Sequence, residues 1–122
     1  MTETKTTVQR VATITAGGSL STVIDKSHYT RMLIIMPALW TAASLCFQVS
    51  DNATSGFVPL EYGSDGAEVV VTAEAAVAIG LDGQIGEAIA AAPFVKISSE
   101  DGQGAAVVQT PGREFIIILS RW

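Results

Sequence analysis

Apolar and polar residues alternate along much of the chain with a period of two, which is the spacing of a β-strand with one buried face. In the clearest run, Leu45, Phe47 and Val49 lie on one side, with Cys46 and polar residues between them. Turn clusters rich in Gly, Asp, Asn and Pro interrupt the pattern about every ten residues. The pattern predicts roughly eight to ten short strands, at residues 8–15, 20–25, 32–36, 45–49, 57–62, 68–72, 77–81, 94–98, 106–109 and 114–120.

Two of these segments are apolar at every position rather than at alternate positions. They are Met32–Met36, which Pro37 ends, and Phe115–Leu119 near the C-terminus. A strand that is apolar on both sides is typically covered on both faces. Either the core or a partner subunit is therefore expected to cover the second face of each strand.

The fold class follows from the many strands and the near absence of helical pattern. Residues 82–92 are the only helical candidate, and they contain two glycines. We expect an all-β protein, an antiparallel two-sheet sandwich of jelly-roll type with little or no helix. Pro59 places its strand at a sheet edge. Residues 1–10 are predicted to be a flexible Thr-rich arm, and residues 11–122 a single β-sandwich domain.

The charge and the apolar pattern exclude two classes of partner. The chain has 7 Lys and Arg against 12 Asp and Glu, a net charge of −5, and its cations are scattered. Nucleic-acid binding needs clustered cations, so it is not expected. No apolar run approaches the roughly 20 residues of a membrane helix, and the polar N-terminus does not resemble a signal peptide.

The chain has one cysteine and one histidine, which limits its possible chemistry. Cys46 has no partner for a disulfide within the chain and too few companions for a zinc site, so we expect a buried or subunit-facing thiol. Asp25, Ser27 and His28 are too close in sequence to present a triad, and His28 is expected to be an exposed loop residue.

The three aspartates in Gly-rich turns suggest backbone capping rather than calcium binding, since no calcium-loop spacing is present. We therefore predict no catalytic residue, no cofactor and no metal, and the protein is not expected to be an enzyme. The turn aspartates are Asp51, Asp65 and Asp101.

Trp40, Tyr62 and Trp122 are the candidate interaction residues. Large aromatic side chains in a sandwich can plug the ends of the core, stack on sugar rings, or anchor a protein interface. The sequence leaves these three alternatives open.

Three segments carry a family resemblance that spans most of the chain after residue 10. They are ATITAGGSLST (Ala12–Thr22), MPALWTAASLCFQVS (Met36–Ser50) and FVKISS (Phe94–Ser99). These segments resemble small virion proteins found beside head genes in tailed bacteriophages and gene transfer agents. The strand that leads into Asp51 also resembles discoidin-type sugar-binding sandwiches.

The resemblance implies a non-enzymatic virion protein with a jelly-roll or related fold. The expected function is that of a capsid decoration or cement protein, which binds the major capsid protein and stabilises the head. The protein would then be made in the host cytoplasm and lie on the capsid exterior. A homo-oligomer is expected, with a trimer favoured because related decoration proteins occupy three-fold sites. The alternative is a carbohydrate-binding or adsorption module, such as the base of a fibre or spike.

Overall fold

The computed structural model describes residues 6–121, which form two antiparallel sheets of four strands and one short helix. The first sheet has the strand order β1-β8-β3-β6, and the second has the order β2-β7-β4-β5. In chain order the elements are β1 (Thr6–Ile14), β2 (Ile24–Asp25), β3 (Arg31–Ile35), β4 (Ser44–Ser50), β5 (Val58–Pro59), β6 (Ala78–Gly80), α1 (Gly83–Ala90), β7 (Phe94–Glu100) and β8 (Arg113–Arg121).

The strand pairing is that of a jelly roll. β1 pairs with β8, β2 with β7, β3 with β6, and β4 with β5, as in one long hairpin. The hairpin is wrapped so that β3 also pairs with β8, and β4 with β7, which closes the two sheets. The expected all-β, two-sheet sandwich is therefore confirmed, and its order is that of an eight-stranded jelly roll.

The core lies between the sheets and is built from the alternate positions that the sequence pattern marks. Phe47 and Phe115 are fully buried, as is Ile34. Trp40 closes one end of this core, because its ring packs edge-on against Phe115 with centroids 5.5 Å apart. Among the residues described, no helix is long and apolar enough to cross a membrane.

Several predicted strands are shorter or less regular than expected. The β-branched segment at residues 68–72 makes only isolated bridges, Glu61 to Glu68 and Leu45 to Val71. Residues 106–109 likewise bridge to other segments without forming a regular strand. Both segments lie beside a sheet and pair for one residue at a time, so local propensity overstated their extent. The edge position predicted for Pro59 is confirmed, since β5 ends the second sheet.

The helical candidate forms α1, which spans Gly83–Ala90. Its glycine at position 86 has a structural reason. A Cβ atom at Gly86 would lie 2.7 Å from the Leu81 carbonyl oxygen, closer than a side chain tolerates. The glycine therefore lets the helix turn back tightly after β6, and Ile89 then reaches the core.

The prediction of a flexible arm at residues 1–10 is wrong for residues 6–10. Those residues belong to β1, where Thr6 pairs with Arg121 and Arg10 with Ile117. Val8 packs against the core. Residues 8–10 are also the start of the first predicted strand, so the unexpected part is Thr6 and Thr7, whose backbone pairs with the end of the long β8. Residues 1–5 and Trp122 lie outside the described residues.

Deleting residues 1–9 is therefore expected to lower the free energy of unfolding by about 2–3 kcal/mol. The deletion removes the ladder residues Thr6–Gln9 and the buried part of Val8, and one buried Val contributes about 1.5 kcal/mol or more. Urea unfolding of the truncated and full-length proteins measures the difference. Deletion of residues 1–5 alone is the comparison that separates the contribution of Thr6–Gln9 from that of the residues before them. Equal stability of all three proteins would contradict a structural role for the start of β1.

Candidate functional site: the open face of the first sheet

The outward side of the first sheet carries an apolar band that the described chain leaves uncovered. We call this band the open face. Its first row crosses all four strands, because Ile116 pairs with both Val11 and Ile35, and Ile35 pairs with Ala78. A second row contains Ile118 and Leu33 between Gln9 and Gly80. Val11 is 48% exposed and Ile35 36% exposed.

The open face explains why two strands are apolar at every position. On β3, Met32 and Ile34 face the core, whereas Leu33 and Ile35 face outward. β8 shows the same division, with Ile117 buried and its neighbours in sequence only half-buried. Of the two alternatives for the second face of these strands, cover by the core does not hold among the described residues, and cover by a partner remains a prediction.

A groove borders this band at its helix end. It has a volume of about 560 Å³, and α1 forms one wall while the sheet forms the floor. Leu33 and Ile118 of the open face contribute to the floor. Gly80 and Gly83 line the groove without side chains, and a Cβ atom at either would meet no atom within 4 Å. The groove is thus an open, largely apolar continuation of the band.

Lys26 holds the helix wall in place. Its side chain is 1% exposed. Its Nζ donates to the carbonyl oxygens of Ile89 at 2.9 Å, Ala92 at 3.0 Å and Ala90 at 3.1 Å, and more weakly to that of Tyr29 at 3.4 Å. A cation at a helix C-terminus also interacts favourably with the helix dipole. Burial lowers the pKa of Lys26 to about 8, so the ammonium is still mostly charged at pH 7.

The opposite end of the open face carries a fixed, apolar loop at residues 37–43. Gln109, which is fully buried, accepts a bond from the Thr41 amide and donates one to the Thr41 carbonyl, each at 2.9 Å. Arg113 adds bonds to Gln109 and to the Thr41 hydroxyl. These hydrogen bonds fix the backbone of the loop at Thr41. Two residues earlier in the loop, the Leu39 side chain is 70% exposed.

The second sheet carries the other cluster of reactive side chains. Cys46 faces outward from β4 but is fully buried, and potential ligand atoms of Cys46, Glu68 and Glu100 lie within 4.8 Å of one another. The Ser98 hydroxyl donates to Glu100 at 2.8 Å. Burial, reinforced by the two carboxylates, raises the pKa of the Cys46 thiol to about 12. A thiol with this pKa stays protonated at neutral pH and is therefore unreactive. The burial of Cys46 agrees with the prediction of a buried thiol.

Glu68 of this cluster predicts a specific dependence of stability on pH. Burial and the charge of Glu100 raise the pKa of Glu68 above its ordinary value of 4.5. A raised pKa in the folded state contributes stability below pH 4.5, and that contribution is lost as the pH rises through the folded-state pKa. Glu68→Gln should therefore be at least as stable as the wild type at pH 7, by up to about 1 kcal/mol.

The same substitution should lose this advantage when the pH falls to 4.5. Urea unfolding at both pH values measures the change, and Glu74→Gln at an exposed loop position is the matched control. A Glu68→Gln variant that is less stable than the wild type at pH 7 would mean that the ionised carboxylate stabilises the fold.

Two of the three predicted interaction residues, Trp40 and Tyr62, lie in the part of the chain that the structure describes. Trp40 is half-buried, and its Nε1 donates to the Ala43 carbonyl at 3.1 Å. Tyr62 is half-buried against the core, and its amide donates to the Ala67 carbonyl oxygen. Trp122 lies outside the described residues. The Trp40 ring contacts Phe115 of the core, which is consistent with a plug, and the interaction role of Trp40 and Tyr62 stays a prediction.

Among the other polar candidates, Asp25, Asp65 and Asp101 accept hydrogen bonds within their own turns. The Asp25 carboxylate accepts bonds from the amide and hydroxyl of Ser27, which lowers its pKa, and His28 is exposed as predicted. Asp65 and Asp101 accept bonds from amides of their own turns. Asp51 has an exposed side chain, and in its turn Asn52 binds the Thr54 amide.

Comparison with known proteins gives one structural likeness. No protein-family model matches the chain, and no curated protein matches it in sequence. The crystal structure of the SPBc2 prophage-derived protein YomS is similar, with a TM-score of 0.61 over 99% of this chain and 98% of that chain. The two sequences are 11% identical. The likeness therefore shows a shared fold over the full described length.

Proposed function

We propose that this chain is a non-enzymatic structural protein of a phage-like particle, a capsid decoration or cement protein that binds the major capsid protein. The observation that carries the proposal is the open face. An exposed apolar band that crosses a whole sheet is the kind of surface by which proteins bind one another. A protein whose function is to add contact area to a shell needs such a surface.

Two further observations support the same proposal. The chain resembles small virion proteins encoded beside head genes, and its fold is that of a prophage-derived protein over nearly the whole length of both chains. The cluster with the most reactive side chains contains an inert thiol beneath two carboxylates, which suits structure better than catalysis.

The carbohydrate-binding alternative is less well supported. Sugar rings stack on exposed aromatic faces, but the ring of Trp40 is engaged by Phe115 and its Nε1 by the Ala43 carbonyl. Tyr62 is half-buried against the core. Both side chains are thus already engaged with the protein's own core.

Binding to capsids that lack this protein tests the proposal. Purified protein should co-sediment with such capsids at a saturable ratio and should raise the temperature at which they disassemble. Capsids that already carry the full complement are the control, because their sites are occupied and they should bind no more. Absence of binding to the vacant capsids would overturn the cement function, and binding to glycans instead would favour the adsorption alternative.

A further inference from the structure

Cys46, Glu68 and Glu100 form a cluster on the outward side of the second sheet, which we call the thiol cluster. Cys46 lies on β4 and Glu100 at the end of β7, whereas Glu68 comes from the irregular segment that follows β5. Their potential ligand atoms, one sulfur and two carboxylate oxygens, all lie within 4.8 Å of one another. Three segments that are remote in the chain thus bring metal-ligating atoms to one point.

We propose that the thiol cluster binds one zinc ion, with the Cys46 Sγ and one carboxylate oxygen each of Glu68 and Glu100 as ligands. Zinc accepts cysteine sulfur and carboxylate oxygen, and three protein ligands leave the fourth position of a tetrahedral ion to water. This inference departs from the sequence-based prediction of no metal, and it does not rest on the proposed capsid function.

The buried Cys46 side chain is the observation that points to a cation. Cys46 is fully buried, and the polar groups that act on its thiol are the carboxylates of Glu68 and Glu100. Buried polar groups are ordinarily paired with a neutral partner or an opposite charge. Three acidic groups meet here instead, and no cationic side chain of residues 6–121 is among the groups that shift the pKa of Cys46 or Glu68. A divalent cation supplies the opposite charge.

The geometry of the cluster is close to that of a zinc site. Ligand atoms that bind one tetrahedral ion at about 2.0–2.3 Å lie about 3.5 Å apart, so the side chains have roughly 1 Å to close. Glu68 and Glu100 are half-buried, which leaves an ion a path to the thiol between them. The Ser98 hydroxyl donates to Oε2 of Glu100 at 2.8 Å, and outer hydrogen bonds of this kind orient the ligands of metal sites.

Zinc binding requires the Cys46 thiol to lose its proton. The ion takes the place of that proton on Sγ, and the proton passes to the buffer. The raised pKa of the metal-free thiol therefore lowers the affinity at neutral pH without preventing binding. Thiolate sulfur favours zinc over magnesium and calcium, which prefer oxygen ligands alone.

A bound ion links an irregular segment to the second sheet. The segment that carries Glu68 pairs through isolated bridges, Glu61 to Glu68 and Leu45 to Val71, rather than as a regular strand. Coordination ties it to β4 through Cys46 and to β7 through Glu100. A ligand that binds only the folded state raises its stability, so zinc should stabilise the protein.

Cobalt and zinc titrations of the purified full-length protein test the site without any capsid. One Co²⁺ per chain should bind and give a sulfur-to-cobalt charge-transfer band in the near ultraviolet. Zn²⁺ should displace the cobalt and remove the band, whereas an excess of Mg²⁺ should not. Zinc at saturation should also raise the midpoint of thermal unfolding by several degrees.

Three substitutions and one matched control locate the ligands. Cys46→Ala should abolish the charge-transfer band, and Glu68→Gln and Glu100→Gln should each weaken zinc binding by tenfold or more. Glu61→Gln is the control, because the exposed Glu61 acts on Glu68 through its charge but is not one of the three ligands. It should weaken zinc binding by less than threefold. Circular dichroism checks that each variant is folded, and the two half-buried glutamates keep the test valid if Cys46→Ala does not fold.

Three results would overturn the inference. They are the absence of a sulfur-to-cobalt band at saturating cobalt, wild-type zinc affinity in Cys46→Ala, and a loss of affinity in Glu61→Gln as large as that in Glu68→Gln. The last result would mean adventitious binding to an acidic surface. Binding to vacant capsids is measured separately, so failure of the zinc site leaves the proposed function standing, and failure to bind capsids leaves the zinc site standing.

Discussion

Replacing Lys26 with Met is expected to lower the free energy of unfolding by about 3 kcal/mol at pH 7. Hydrogen bonds from a charged donor contribute about 1.5–3 kcal/mol each, and the Lys26 ammonium is shared among the carbonyls at the end of α1. Methionine keeps most of the side-chain volume and avoids the cost of burying a charge, so the net loss should be well below the sum of the bonds.

Lys96→Met is the matched control for the change in charge. Lys96 lies on β7 with its Nζ 4.7 Å from the centre of the Phe57 ring, at a partly exposed site where such contacts contribute about 0.5–1 kcal/mol. Urea unfolding of both variants at pH 7 gives the comparison. If Lys26→Met is as stable as Lys96→Met, the helix end does not depend on the buried ammonium.

Phe47→Ala is expected to have the largest effect, a loss of about 3–5 kcal/mol. Phe47 is fully buried at the centre of β4, where its side chain faces the core. Truncation removes the aromatic ring and leaves a cavity, because close-packed neighbours relax only partly. Denaturant unfolding measures the loss.

Ser44→Ala on the same strand is the control for this prediction. Ser44 points outward at the end of β4 and is only half-buried, so the change should be within about 0.5 kcal/mol. A large loss at both positions would mean that the outward side of β4 is as closely packed as the inward side along its whole length.

The alternation at β4 shows how far a periodic pattern predicts the fold. It identified Leu45 and Phe47 as core residues, and both are fully buried. It assigned Cys46 to the polar side of the strand, and Cys46 does face that side. The pattern did not indicate that Cys46 is buried as well, because its cover comes from Glu68, on a segment more than twenty residues away in sequence.

The sequence predicted the apolar strands of the candidate site but not the row or the groove that they form. The unbroken apolar runs at Met32–Met36 and Phe115–Leu119 predicted that both faces of these strands are covered. Val11 and Ala78 lie in the same row only because of the register of three strand pairs, which the sequence does not show. The groove depends in addition on the position of α1, which a buried lysine far from it in sequence secures. The aromatic candidates were chosen by residue type alone, and in the structure the Trp40 ring packs against Phe115 of the core.

The sequence by itself determined the class of fold, most strand positions, the short helix and the main core residues. These features rest on local spacing, and the period of two is set within a few residues of each strand. Only the tertiary structure decided that β1 begins at Thr6 rather than at Val8, that Lys26 is buried under α1, and that one sheet face stays open while Cys46 on the other sheet is enclosed. Each of those outcomes depends on pairing between segments that are remote in the chain. A polar group can be buried only where such a segment supplies its hydrogen-bond partner.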